Sequence, residues 1–406
     1  MELIELFSLG DLYVSDFLSK DDINERKKYD ITLMLDKESG LLRLKNIPPK
    51  DMMWGKYWYR SGINTTMRNE LKGIVDSVLT TIPYQQNDVF LDIASNDGQL
   101  LSNVPDTFYR VGIDPAEDSF KIEAEKVSDL IIQDYFGAAV YKKYLNERKA
   151  KFITIIAMFY DIENPLQFLD EVQEIMDDEG ILVLQLSYTP LMLQQLAYDN
   201  LCHEHVYYYT LTSLKKLLNQ KQLNVVDVEL NDVNGGSFRA YIRKTNAEPK
   251  NFKTAQYRDV ANFRIESLLA YEESLQLNNP QTYINFYDKI CWLKKETVDF
   301  ILQEKAKGKT IFGYGASTKG NTLLQWYGLN NTHIDAIAER SEYKYGYRTI
   351  GSNIPICSEE DMRKAKPDYL LILPWHFVNE FKERESDYLK NGGKFIIPCP
   401  KFEIIG

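Results

Sequence analysis

Phe90-Leu91-Asp92-Ile93-Ala94-Ser95-Asn96-Asp97-Gly98 is the stretch that decides the fold. Residues 89–93 form a short apolar run, and small and polar residues follow it at once. That pattern predicts a strand ending in a sharp loop, with Ser95, Asn96 and Gly98 letting the backbone approach a ligand closely. In an open parallel sheet, ligands bind beyond the carboxyl ends of the strands. About twenty residues on, Val111-Gly112-Ile113-Asp114-Pro115 ends a second run on an acid, placed to accept hydrogen bonds from ribose hydroxyls. The first loop has a single glycine, so the GxGxxG fingerprint is absent and a cofactor without a pyrophosphate is favoured. Asp92 and Asp114 alone do not settle this, because any doubly wound fold can carry such a pair.

Working outward, further strands are predicted over 109–113, 153–157 and 180–186, with a helix over 165–176. Short apolar strands separated by helical segments imply a parallel sheet covered on both faces. Strands over 223–230 and 237–243 flank Asn234-Gly235-Gly236 as an antiparallel pair closing the sheet. Upstream, residues 1–70 read as a small lobe with a hairpin, 30–35 and 41–44 around Ser39-Gly40, and a helix follows over 69–79. Downstream, helices over 259–275 and 283–307 bridge to a second α/β run. Its strands lie at 310–313, 334–338, 369–373 and 394–397, with a helix over 321–327. The expected organisation is three parts, 1–70, 71–245 and 246–406.

The chain has 406 residues and a formal net charge of −11, which disfavours a nucleic-acid polymer as partner because phosphate backbones require a basic face. It does not disfavour a nucleotide, which one helix N-terminus and a few local cations can hold. The four cysteines show neither a CxxC pair nor zinc spacing. No signal peptide is legible and no apolar run approaches the ~18–20 residues of a membrane span. A cytoplasmic protein is expected, with no membrane partner, as monomer or dimer.

Two of the four histidines lie together in Asp199-Asn200-Leu201-Cys202-His203-Glu204-His205. If this stretch is extended, His203 and His205 share one face and Glu204 points the other way. Metal binding lacks a third ligand and the HExxH spacing. A purely structural pair, satisfied by hydrogen bonds, is possible. Acid–base catalysis, with an imidazole near neutrality and Glu204 as its partner, is the third reading.

Across nearly its whole length the sequence resembles the sugar C-methyltransferase family, whose members use S-adenosylmethionine to methylate nucleotide-linked keto-sugars. The resemblance runs through Phe7-Ser8-Leu9-Gly10, Tyr59-Arg60-Ser61-Gly62, Ser95-Asn96-Asp97-Gly98 and His203-Glu204-His205. It continues through Asn234-Gly235-Gly236-Ser237-Phe238-Arg239, Gly315-Ala316-Ser317-Thr318-Lys319-Gly320-Asn321-Thr322-Leu323-Leu324 and Leu373-Pro374-Trp375-His376. It implies a class I methyltransferase Rossmann-like α/β domain, a small N-terminal β-containing lobe and a second Rossmann-like C-terminal domain. It also implies S-adenosylmethionine held by Asp92, Ala94, Ser95, Asn96, Asp97, Gly98, Asp114 and Pro115, flanked by Asp134, Tyr135, Met158 and Phe159. His205 is the implied general base, with Glu204 as its electrostatic partner and His203 or Tyr59 on the enolate side. The nucleotide-linked sugar is expected against Asn234, Gly235, Gly236, Tyr314, Ala316, Ser317, Lys319, Asn321, Trp375 and His376.

The chain departs from that family in three places. Asp36-Lys37-Glu38-Ser39 stands where many relatives place zinc cysteines, so no zinc is expected. Cys202 replaces a frequent tyrosine, and Asp161 falls where relatives carry a further histidine. O- or N-methylation of a saccharide, and a non-catalytic member of the fold, are the alternatives.

Overall fold

Val89–Ile93 is the first strand, in chain order, of a seven-stranded sheet. Tyr109–Ile113, Leu130–Ile132, Ala150–Ile156, Met176–Ser187, Leu223–Asn231 and Ser237–Lys244 follow as strands two to seven. Their spatial order is 3-2-1-4-5-7-6, with the seventh antiparallel to both neighbours and the remaining pairs parallel. The order reverses between strands one and four, which opens a crevice at their carboxyl ends. This is a class I methyltransferase Rossmann-like domain. The structure, a computed structural model, describes residues 2–22, 26–54 and 56–406.

The pleat sends alternate side chains to opposite faces. Leu91, Ile93, Ile153, Ile155, Leu182 and Leu184 are buried in one core. Phe90, Phe152, Ile181 and Val183 pack on the other, against Leu71, Ile74, Val75 and Val78. The helix carrying these last residues spans Thr65–Val78 and starts before the expected position 69. Asn64 caps it, its side chain accepting from the Thr66 amide at 2.8 Å.

The N-terminal sheet pairs Leu3–Tyr13, Lys28–Asp36 and Leu42–Leu44 in order, and its fourth strand, Tyr207–Tyr208, comes from the central domain. Leu3–Tyr13 escaped the sequence reading because irregularities between Glu5 and Phe7 and between Ser8 and Asp11 break its alternation. The turn where zinc cysteines would lie is held by Asp36, whose Oδ1 accepts from the Glu38 amide at 3.0 Å and Oδ2 from the Ser39 hydroxyl at 2.7 Å.

The C-terminal sheet has six strands in the order 3-2-1-4-5-6, the last antiparallel. Ile311–Tyr314, Ile337–Glu339, Tyr369–Ile372 and Lys394–Ile397 match expected strands within a few residues. The short Ile356–Ser358 and Glu403–Ile405 were not anticipated. The long helix Pro280–Ala306 carries Phe286, Ile290, Leu293 and Ile301 into one core shared with Phe7 and Leu9 of the N-terminal sheet and with Leu370 and Phe395. Polar ties follow the same seam. The Gln325 amide bonds both the N–H and the carbonyl of Tyr13, at 2.9 and 3.2 Å, and Asn321 donates to the Asp16 carbonyl at 3.0 Å. The N-terminal lobe is therefore welded to the C-terminal domain, and together they face the crevice of the central sheet.

Candidate active site

The loop leaving the first central strand is a cradle. Ala94, Asn96 and Gly98 have φ of 62°, 52° and 77°. A Cβ on Gly98 would lie 2.7 Å from the Cα of Ala124, so only glycine fits there. Asp114 ties the loop down: its Oδ2 accepts from the Asn96 amide and its Oδ1 from the Ala116 amide, both at 2.8 Å. From above, the N-terminal lobe closes on it. The Asn96 side chain accepts from the Ser61 amide and donates to the Tyr59 carbonyl, both at 3.0 Å, and Asp97 accepts from the Gly62 amide at 2.8 Å. The guanidinium of Arg60 lies 3.8 Å from the Phe120 ring centre and donates to the Ser119 hydroxyl at 2.6 Å. Pro115, Asp134 and Tyr135 are exposed around this loop, with Met158 half-buried.

Asp92 is buried, and Thr154 donates to its Oδ1 at 2.6 Å. Burial, partly countered by that hydrogen bond, pushes its carboxyl up to about 7. An acid raised on folding stabilises the fold fully below its unfolded value and loses that contribution as pH rises through the folded one. Across the window from 3.8 to about 7, wild type should therefore lose roughly 4 kcal/mol of stability relative to Asp92→Asn. Denaturant titrations of both proteins at pH 5 and pH 8 measure this. Equal differences at the two pH values would contradict it.

The second group of residues lies at the ends of the fourth and fifth strands. Cys202 to His205 is a turn, closed by the His205 amide on the Cys202 carbonyl at 3.2 Å, so the extended geometry that would put both imidazoles on one face does not hold. The two imidazoles therefore part company. His203 Nε2 donates to the Tyr29 carbonyl at 2.9 Å in the N-terminal sheet. That bond leaves Nδ1 as an acceptor, so His203 holds the lobe and has no proton to offer an enolate. His205 turns inward, its ring 4.3 Å from that of Tyr160. Burial, aided by the Lys319 charge, holds its imidazole well below the usual range, so it is neutral at pH 7.

Lys319 reaches this group from the C-terminal domain and donates to Asn200 Oδ1 at 2.6 Å. Trp375 comes from the same domain and donates to Asp199 Oδ1 at 3.1 Å. His376, beside it, is held down to about 3 by burial and by Lys319. Tyr59 lines the opening, with 41% of its surface exposed. Sequence reasoning missed Tyr57, Asn200 and the reach of Lys319 into the central domain. The interleaved Lys56-Tyr57-Trp58-Tyr59-Arg60 was the available signal for the first.

Several expected contacts lie elsewhere. Phe159 is fully buried, with its ring against Phe168 and Tyr209, and belongs to the core. Tyr314 is also core, its hydroxyl committed to Glu385 at 2.7 Å and Glu359 at 2.9 Å. Ala316 is buried, with its amide on Glu339 at 2.8 Å, and Ser317 Oγ caps the helix Thr318–Tyr327. Asn321 donates its amide to the N-terminal lobe and keeps a buried Oδ1 without a partner. Asn234-Gly235-Gly236 is a hairpin turn in which a Cβ on Gly235 would lie 3.0 Å from the Trp375 ring, so its close approach serves that ring.

Buried polar atoms without partners mark both groups: Ser95 Oγ and Asp97 Oδ1 at the loop, and Asp161 Oδ1, Glu204 Oε2 and His376 Nδ1 beyond it. Such atoms each cost ~1–3 kcal/mol. Tyr141 and Tyr209 have unpartnered hydroxyls in the core as well, so the property alone does not mark a ligand site; Ser95 and Asp97 are the ones placed at the loop beyond the strand end.

A model of the C-methyltransferase C-terminal domain matches residues 232–400, and one of a methyltransferase domain matches residues 63–228. A C-methyltransferase of Streptomyces niveus, NovU, is 26% identical over 387 residues, covering 95% of this chain and 90% of that protein. Side by side, the two models place a methyltransferase domain and a C-methyltransferase C-terminal domain in this chain. This C-methyltransferase is an S-adenosylmethionine-dependent enzyme, and the cradle suits that cofactor through its unpartnered Ser95 and Asp97 oxygens and its glycine-only backbone. Among solved structures, magnesium protoporphyrin IX methyltransferase of Synechocystis, with bound S-adenosylmethionine, is 10% identical. It covers 44% of this C-methyltransferase and 79% of that chain, with a TM-score of 0.33. The plantazolicin methyltransferase BpumL is 13% identical, covering 45% and 86%, with a TM-score of 0.35.

Proposed function

We propose that this enzyme methylates the carbon beside the ketone of a nucleotide-linked keto-sugar. The observation that carries the reading is the convergence of neutral His205, of Glu204 with its buried and unpartnered Oε2, and of Lys319 at the strand ends that also carry the cofactor cradle. His205 takes the proton from the carbon beside the ketone. The C–H electrons move into the carbon–carbon bond, and charge develops on the ketone oxygen. Glu204, its neighbour in the turn, is assigned to compensate the imidazolium, and Lys319 is the charge that both groups feel. When bound, S-adenosylmethionine supplies an electrophilic methyl. A C–C bond to the substrate then forms as the S–CH3 bond breaks, and S-adenosylhomocysteine leaves.

A cleft supports the nucleotide part of the reading. About 540 Å³ lies between the N-terminal lobe and the C-terminal domain, lined by Lys27, Lys56 and Tyr347 and by Arg26, which is paired with Asp22 at 2.8 Å and lies 3.8 Å from Asp16 on the same wall. A smaller recess of about 180 Å³, with Tyr57, Arg60 and Tyr343, shares Lys56 and Tyr347 with it. Tyr57 feels the charges of Asp161, Asp114 and Glu204, so this recess adjoins both the cofactor loop and the acid–base group. Cations and aromatic rings together suit a nucleoside diphosphate.

Incubation in D2O with a panel of keto-sugar nucleotides tests the assignment. The expected result is cofactor-independent deuterium uptake beside the ketone of one of them. Turnover without any such uptake, with the methyl on oxygen or nitrogen, would contradict it. Lys56→Ala should raise KM for the nucleotide-linked sugar about tenfold, the loss of one charge-assisted contact, and leave kcat near wild type.

A further inference from the structure

The fourth central strand, Ala150–Ile156, runs parallel to the first, and the crevice opens between their carboxyl ends. Just past that end the chain makes the short helical turn Phe159–Asp161, closed by the Asp161 amide on the Met158 carbonyl at 2.8 Å. Neighbouring side chains of this turn part. Phe159 drives its ring into the core, against Phe168. Tyr160 meets His205, with the ring centres 4.3 Å apart and the planes tilted by 51°. Two further contacts clamp the same segments together. The Phe159 ring lies 5.5 Å from that of Tyr209, and the Tyr207 hydroxyl donates to the Glu163 carbonyl at 3.3 Å. Three ties thus join residues 159–163 to residues 205–209, and the seat of the imidazole beside Tyr160 is fixed by the backbone on both sides.

Tyr160 is buried, yet its hydroxyl has no hydrogen-bond partner among the described residues. The core hydroxyls of Tyr141 and Tyr209 are unpartnered as well, but they are sealed from solvent, and that of Tyr160 is not. A phenol so placed has a donor to give. Burial, together with the charge of Asp161, holds it well above the ordinary tyrosine range, so it stays protonated wherever the enzyme works.

Enolate formation needs two groups side by side. A base must reach the C–H, and a donor must reach the oxygen on the adjacent carbon, where the charge collects. Tyr160 is the aromatic ring that touches His205 among the described residues. His203 is committed to Tyr29, Lys319 donates to Asn200, and Tyr59 stands at the opening.

We propose that Tyr160 is a catalytic residue whose hydroxyl donates a hydrogen bond to the substrate's ketone oxygen, beside His205. As His205 takes the proton from the neighbouring carbon, the C–H electrons form the carbon–carbon double bond and the ketone oxygen gains the charge that the phenol meets. The phenol proton is shared and not transferred. Tyr160 is therefore unchanged when the carbon has taken the methyl and the carbonyl re-forms. The role rests on the C-methylation proposed above.

Tyr160→Phe, made in the full-length protein, keeps the ring against His205 and removes only the hydroxyl. Deuterium uptake beside the ketone should slow about 10²–10³-fold, the loss of one oxyanion donor. The loss should fall on kcat, with KM within about threefold of wild type. S-adenosylmethionine binding, followed by calorimetry, should be unchanged. Tyr160→Leu, which removes the ring as well, should be no faster than Tyr160→Phe. If Tyr160→Phe runs within about threefold of wild type while Tyr160→Leu is slow, Tyr160 only packs on His205 and the donor role is wrong. Loss of cofactor affinity in Tyr160→Phe as large as its loss of uptake also overturns that role, because the hydroxyl then shapes the crevice and not the reaction. Wild type that methylates oxygen or nitrogen with no deuterium uptake overturns the reaction proposed above and the donor role with it, so wild type alone tells the two failures apart.

Discussion

Replacing His205 with asparagine should slow deuterium uptake beside the ketone by about 10²–10⁴-fold, the range for loss of a positioned general base, while S-adenosylmethionine binds as before. The separation follows from the architecture. The cofactor loop is held by Asp114 from the second strand and by Ser61 and Gly62 from the N-terminal lobe, none of which touches the turn carrying His205. That turn is anchored independently, by His203 on Tyr29 and by the pairing of Tyr207–Tyr208 with Leu42 and Arg43. The acid side of the pH profile should follow from the burial of His205. Its imidazole is held well below the ordinary value, so the unprotonated base persists below pH 6.5 and activity should fall only at more acidic pH. Stability runs the same way for this group: a buried neutral histidine contributes above its unfolded value, and that contribution is lost as pH falls below it. Uptake rates for wild type and His205→Asn across pH 5–9 measure both effects. A variant within threefold of wild type would remove His205 from the reaction.

Asp114→Ala carries the second large effect, this time on the cofactor. The carboxylate takes the amides of Asn96 and Ala116 at once, and hydrogen bonds to a charged group contribute about 1.5–3 kcal/mol each. Removing both should weaken S-adenosylmethionine binding by about a hundredfold or more. The loop loses the bond that holds the Asn96 amide, the segment after the second strand loses its bond to the Ala116 amide, and the ribose loses the acceptor proposed for it. Asp114→Asn keeps one acceptor oxygen and should lose roughly tenfold. Calorimetric titration of the two variants measures this, and an unchanged Kd for Asp114→Ala would place the cofactor elsewhere.

The central and C-terminal sheets were legible because their strands are short apolar runs beside strongly periodic helices. The cofactor loop was legible because its residue types are dictated by backbone shape: Gly98 has no room for a Cβ, and an acid must end the second strand. What stayed hidden depends on distant partners. Tyr207–Tyr208 is two residues long and becomes a strand only because Leu42–Leu44 lies beside it. His203 and His205 look equivalent in sequence, yet one turn in the backbone sends the first to Tyr29 and the second to Tyr160. Tyr314, Ala316 and Ser317 sit in a loop whose glycines suggested an anion site. Glu339, Glu385 and the helix cap occupy them instead, while Lys319, in the first turn of the helix that follows, reaches Asn200 of the central domain. Asp161 showed in sequence as a departure from the family pattern, and the structure gives its buried Oδ1 no partner.

The most direct measurement uses S-adenosylmethionine carrying a 13C-labelled methyl group, turned over with the keto-sugar nucleotide that gives deuterium uptake, and locates the label by carbon NMR. The expected product has the methyl on the carbon that exchanged its proton, with the coupling pattern of a carbon–carbon bond and the ketone intact. A label on oxygen or nitrogen, with the exchanging carbon unsubstituted, would contradict methylation through an enolate and with it the role assigned to His205.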